Sequence, residues 1–183
     1  MIPVYIWGNH HCSDNVSFKD TFNSLIKKQL RFLEPVLHVK EEQCLSNKLI
    51  KRVQKIVNES RGSPQVHLFV LGNVEKKDNI PNIKIIEQFE KLSLVSKSNE
   101  KIQFIITSVI PKNGPTDHIC LQLNELLKEK LATNKQITFV RIEYRIGSSD
   151  YSDPETLNAQ GSIKLAQSTS KAIFCIPRTR LQW

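Results

Sequence analysis

Ser152-Asp153-Pro154-Glu155-Thr156-Leu157-Asn158-Ala159-Gln160-Gly161, running on into Ser162-Ile163-Lys164-Leu165-Ala166, is a polar loop that passes into an amphipathic helix. The loop starts near Gly147, and the spacing predicts the helix over about 158–173. Upstream, the same kind of unit recurs. The apolar runs Pro3 to Trp7, Val36 to Val39, Val66 to Leu71, Ile102 to Ile110 and Ile137 to Ile142 predict strands. Helical spacing follows each of the first four. Phe18, Phe22, Leu25, Ile26 and Leu33 lie behind a Ser17 N-cap, and Pro35 stops that helix. Leu45, Leu49, Val53, Ile56 and Val57 mark a helix from about Cys44 to Ser60, ended by Gly62. Ile85, Ile86, Phe89 and Leu92 mark one over Asn82 to Val95, and Ile119, Leu123, Leu126 and Leu127 one over Thr116 to Leu131.

Strands alternating with helices imply an α/β fold, a parallel sheet covered on both faces. With right-handed crossovers the expected form is a three-layer α/β/α sandwich whose five strands run in the order 2-1-3-4-5. The first and last helices then share one face and the other three share the opposite one. Ligand sites in such sheets lie at the carboxyl ends of the strands. Here the loops beginning at Gly8, Gly72, Pro111 and Gly147 converge there. The chain reads as one domain over 1–183, with 173–183 a basic tail.

Composition narrows the partners. The 183 residues carry a net charge of +8 and a pI near 9.4, with 39% hydrophobic residues. That balance favours polyanionic partners. No apolar run approaches the length of a membrane span, and no membrane partner is expected. The start at Met1 lacks a signal-peptide pattern and suggests a domain taken from a longer protein. Cys12, Cys44, Cys120 and Cys175 are widely spaced, as expected for thiols in a reducing, cytoplasmic setting. His10-His11-Cys12 has no second ligand cluster, so neither a metal nor another cofactor is expected.

The opening stretch resembles the last signature block of the SGNH (GDSL-type) esterase family, in which an Asp, two intervening residues and a His are followed by Leu-Asn, a Gly and a helix with Leu-Ala. Asp153 matches the Asp; Thr156 holds the His position. In the first block, where the family has Gly-Asp-Ser with a nucleophilic Ser, this chain has Gly8-Asn9-His10. The second block supplies an oxyanion Gly, and Val39-Lys40-Glu41-Glu42-Gln43 contains none. The third, Gly-x-Asn-Asp, reads Gly72-Asn73-Val74-Glu75 and puts Val74 at the oxyanion Asn. Leu121-Gln122-Leu123-Asn124-Glu125-Leu126-Leu127 and Phe139-Val140-Arg141-Ile142 look like the family's fourth helix and fifth strand. A serine esterase needs an imidazole base and an oxyanion donor, and neither Thr156 nor Val74 supplies one. The resemblance therefore implies the family's fold without its chemistry, as in the SGNH-like domains of insect germ-plasm organisers, which lack the catalytic residues and bind RNA. A rearranged set, His10 with Cys12 or Asp153, remains an alternative.

Two basic sets are candidate RNA-binding surfaces, for mRNA held through phosphates and unpaired bases. Lys27, Lys28 and Arg31 on the first helix lie beside the last helix, which carries Lys164 and Lys171 and leads to Arg178, Arg180 and a stacking Trp183. This composite set is the preferred one. Lys48, Lys51, Arg52 and Lys55 form a stripe at i, i+3, i+4 and i+7 on the second helix. The competing expectation is a protein-interaction scaffold that meets other germ-granule proteins, its charge incidental. Trp7 is expected to pack at the end of the first strand.

Overall fold

Two strands have no position open to water. Every residue of β3 (Gln65–Val70) and β4 (Ile102–Thr107) is buried. Strands covered on both faces read as unbroken apolar runs, and these two are the centre of the sheet. The protein is represented by a computed structural model, which describes all residues except 31–32, 43, 113 and 182–183; the side chains of Val74, Lys77, Pro115 and Arg178 also lie outside the described set. β1 (Ile2–Gly8), β2 (Pro35–Glu41) and β5 (Ile137–Val140) complete a parallel sheet of order β2-β1-β3-β4-β5, as expected. Val4 stands opposite Leu37 on one side and Val66 on the other.

Alternation along the strands sends side chains into two cores. Val4, Ile6, Val66, Leu68 and Ile105 pack against α1 (Val16–Gln29) and α6 (Ala159–Phe174) through Phe18, Phe22, Leu165 and Ile173. Trp7, Phe69, Phe104 and Ile106 point the other way, onto α2 (Asn47–Glu59), α4 (Asn82–Ser96) and α5 (His118–Leu131). Trp7 is fully buried, and its indole N–H donates to His67 Nδ1 at 3.1 Å.

Several boundaries differ from the sequence reading, each for a local reason. α1 is capped by Asn15, not Ser17: Asn15 Oδ1 accepts from Phe18 N at 2.9 Å, and its Nδ2 donates to Ser162 Oγ on α6 at 2.8 Å. α2 starts at Asn47, where Ser46 Oγ caps Leu49 N. β4 ends at Thr107. The fifth strand stops at Val140 because Ile142 N is taken by Ser108 Oγ at 2.9 Å, and a 3₁₀ turn over Ile142–Tyr144 follows. A short helix α3 (Asn73–Lys77), unmarked by periodicity, follows Gly72. The loop after Gly147 holds a 3₁₀ turn (Ser148–Asp150) and a two-stranded hairpin of β6 (Tyr151–Asp153) and β7 (Thr156–Leu157). Beyond α6 the chain does not hang free: Ile176 and Leu181 are buried in the α1–α6 core. No helix among the described residues is long and apolar enough to cross a membrane.

Candidate functional site

The loops at the carboxyl end of the sheet enclose a cleft of about 660 Å³. Its walls come from Asn9 and His10 after β1, Glu41 at the end of β2, Asn73 after β3, Pro111 after β4, and Glu155 at the tip of the β6–β7 hairpin. Gly8 makes the first turn possible, since a side chain there would overlap the Cys12 sulfur. The turn is closed by Asn9 O, which accepts from Cys12 N, Ser13 N and Ser13 Oγ at 2.9–3.0 Å. Gly72 has φ +101° and a Cβ there would sit 2.5 Å from Val109 Cγ2, so this corner too requires glycine.

The structure brings His10 against the turn that carries Asp153 and Thr156. The His10 ring is exposed, and its Nε2 lies 3.4 Å from Glu155 O. Asp153 Oδ1 accepts from Glu155 N at 2.9 Å; that bond first, and one from the Thr156 side chain second, hold its carboxyl below the usual range. Lys112 Nζ pairs with Glu155 Oε1 at 2.9 Å. The His11 ring lies against His10, with centroids 4.1 Å apart and the planes tilted by 42°. It is 1% exposed, and burial, then the neighbouring His10, push its pKa down to about 3, so it is a neutral imidazole. Cys12 is fully buried and burial raises its thiol to about 12, which leaves no thiolate to pair with His10. The side chain of Val74 lies outside the described residues. Its neighbour Asn73 lines the cleft, a position that block matching passes over because it is the variable one. Asn73 Nδ2 donates to Ile110 O at 2.8 Å.

The two basic sets fare differently. Lys48, Lys51, Arg52 and Lys55 are all exposed and, with Asn47, border a shallow groove of about 440 Å³ along α2. Arg52 is ion-paired to Glu42 and lies over the Trp7 ring at 5.6 Å; Lys55 is 3.8 Å from Glu59. Lys48 and Lys51 make no ion pair among the described residues. In the composite set, Lys27, Lys28 and Lys171 are exposed on the packed helices α1 and α6. Lys164 and Arg180 differ from these in being engaged within the fold. Lys164 Nζ sits 2.7 Å from Oδ2 of Asp150, which is 2% exposed and also accepts from Gly147 N at 2.8 Å. Arg180 Nη1 donates to Lys135 O at 2.6 Å and Gln103 Oε1 at 3.2 Å, at the amino end of the sheet. Arg31 and Trp183, and the side chain of Arg178, lie outside the described residues.

Sequence reasoning also missed a polar cluster at the end of β5. Arg141 pairs with the buried Glu143 and, at 2.6 Å, with Glu125, and it covers the Tyr144 ring at 4.6 Å. Glu143 also accepts from Ser108 Oγ. These contacts anchor the strand exit and leave Glu143 paired.

No protein-family model matches the chain, and no curated protein matches it. Solved structures do. A member of the lipolytic protein G-D-S-L family from Veillonella parvula DSM 2008 superposes with a TM-score of 0.74 at 10% identity, over 96% of this chain and 100% of that one. A carbohydrate esterase family 3 protein from Talaromyces cellulolyticus gives 0.71 at 12%, over 94% and 96%. A GDSL-like lipase from Bacteroides thetaiotaomicron VPI-5482 gives 0.68 at 17%, over 93% and 87%. Identities this low speak to architecture alone. With its sheet order and its cleft at the strand ends, the chain has the SGNH hydrolase-like α/β fold.

Proposed function

We propose that this chain is a non-catalytic RNA-binding domain, similar to the C-terminal domain of Oskar, the insect germ-plasm organiser, and acts on mRNA in cytoplasmic ribonucleoprotein granules. The observation that carries the reading is the α2 groove: four exposed cations on one helix face, two of them without an ion-pair partner among the described residues. Such a row neutralises successive phosphates, and counterion release drives binding. The exposed Lys27, Lys28 and Lys171 form a second, smaller surface. The non-catalytic part rests on the cleft. Its described lining residues include no Ser, Thr or Cys, and the group that His10 Nε2 meets is the backbone carbonyl of Glu155, not a hydroxyl or a thiol. The test is salt-dependent binding of a labelled single-stranded RNA, with the two surfaces varied separately. Partner capture that persists at high salt, with no RNA retained, would favour the scaffold reading instead.

A second reading, hydrolysis by a rebuilt set, has two observations in its favour: structural neighbours are named as a lipase and an esterase, and His10 lines the cleft. It predicts turnover of p-nitrophenyl acetate that is lost in His10→Ala and Asp153→Ala. Turnover no higher than a heat-treated control excludes it.

A further inference from the structure

Two residues of the cleft wall carry polar atoms that the fold itself does not satisfy. Asn9 and Asn73 both line the cleft, and Asn9 Nδ2, a donor, and Asn73 Oδ1, an acceptor, are covered without a hydrogen-bond partner among the described residues. Asn9 is 3% exposed. Native proteins pair nearly all such atoms, because an unpaired buried one keeps its full desolvation cost. The other half of each amide is fixed: Asn9 Oδ1 accepts from His11 N at 3.1 Å, and Asn73 Nδ2 donates to Ile110 O. Asn9 follows β1 and Asn73 follows β3, so the unpartnered donor and acceptor come from the ends of two paired strands. Nearby, the exposed His10 ring rests on His11. Ile110, Pro111 and Ile119 supply apolar wall, and the charged lining is mixed, Lys76 and Lys112 against Asp14, Glu41, Asp117 and Glu155. The α2 row leads to this place, since Glu41 lines the cleft and its neighbour Glu42 is paired to Arg52.

We propose that the cleft receives one unpaired nucleobase of an RNA strand held along α2, its Watson–Crick edge meeting Asn9 Nδ2 and Asn73 Oδ1 and its face lying against His10. The proposal rests on the RNA reading above. Every base edge carries an acceptor next to a donor, so it satisfies both atoms at once, and a duplex has that edge occupied. A carboxylate, an ester or a phosphate dianion offers acceptors only and would leave Asn73 Oδ1 unpaired. Histidine is among the side chains on which splayed bases stack. Both amide atoms are covered in the free chain, so a base must part the cleft wall to reach them.

The experiment follows the side-chain amide signals of Asn9 and Asn73 in ¹⁵N-labelled protein titrated with uridine, acetate and inorganic phosphate. Single-stranded RNA affinity is measured in parallel. Uridine should shift both amides, whereas acetate and phosphate should not. Ile119→Trp fills the cleft from a helix position that is 61% exposed, so folding is spared. It should weaken both the uridine shift and RNA affinity by about fivefold, the equivalent of one lost stacking contact. Amides that ignore uridine, or that respond equally to acetate, overturn the base pocket; if RNA still binds, the RNA reading survives that result. Uridine shifts without any RNA binding would uphold the pocket as a nucleoside site and remove the RNA reading.

Discussion

Lys164→Met separates a structural role from an RNA contact at a lysine that the fold already pairs. The ammonium lies 2.7 Å from the carboxylate of Asp150, whose side chain is 2% exposed. Asp150 in turn pins three elements: its Oδ2 accepts from Gly147 N, its backbone O accepts from Asn158 N at 2.8 Å, and α6 packs over it through Gly161. Burial raises the Asp150 carboxyl, but the Lys164 and Gly147 hydrogen bonds outweigh it and hold the group below its usual value. A charge-assisted bond of this kind is worth about 1.5–3 kcal/mol. Lys164 is itself 35% exposed, so the lower end applies, roughly 1.5 kcal/mol after screening. For a chain of this length that is a fall in Tm of about 3–6 °C. The sign with pH follows from the depressed pKa. The contribution is present above the unfolded Asp value of about 3.9 and is lost as pH falls through the folded one. The gap between wild type and Lys164→Met should therefore be full at pH 7 and close as the solution is acidified below about 4. Thermal unfolding by circular dichroism at a series of pH values measures it. RNA affinity should change less than about twofold, as for a cation already neutralised. An unchanged Tm with a large loss of RNA binding would refute the assignment and return Lys164 to the surface set.

Other expectations follow from burial and close packing. Gly161→Ala puts a methyl group 3.0 Å from Asp150 Cβ and against its carbonyl, and should cost about 1–3 kcal/mol in urea unfolding; a wild-type midpoint would show that the α6–turn contact is loose. Cys175 is exposed and should react with a thiol reagent in the native state, whereas Cys12 and Cys120, both buried and raised to about 12, should react only after unfolding. Rapid native labelling of Cys12 would revive a thiol nucleophile. His67 and His11 are held neutral at about 3 by burial. The unfolded chain takes up these protons first, so stability should fall as pH drops below about 6.5. A stability curve flat from pH 7 to 5 would contradict that burial.

The fold was legible because its signals are local and redundant. The runs at Val66 to Leu71 and Ile102 to Ile110 fit doubly covered strands, and β3 and β4 within them are buried at every position. Caps were less legible, since Asn15 and Ser17 are both good N-caps and the choice is made by Ser162, far along the chain. The position of the cleft was legible from topology. Its content was not. Asn9 and Asn73 are polar loop residues whose unpaired atoms emerge only from their surroundings, and Asn73 stands beside the block position that drew attention to Val74. The basic sets show the limit of counting charges. Lys48, Lys51 and Lys164 look alike in sequence, but among the described residues the third alone has a buried carboxylate beneath it, supplied by a turn whose 3₁₀ geometry no periodicity predicts. Arg180 looked like part of a tail, yet Leu181 anchors that segment in the core and aims the guanidinium at the sheet.

The central claim, RNA binding through the α2 row, is tested most directly by fluorescence anisotropy of a labelled single-stranded RNA over a range of salt concentrations, for the wild type and for Lys48→Gln/Lys51→Gln. Each phosphate contact on a single strand contributes about 0.7 to the slope of log affinity against log salt, so losing two should reduce the slope by about 1.4 and weaken binding about 25-fold at 0.1 M salt. The account predicts that change, with a smaller one for Lys27→Gln/Lys171→Gln. An absence of binding at low salt, or a slope and affinity that the double substitution on α2 leaves untouched, would contradict it.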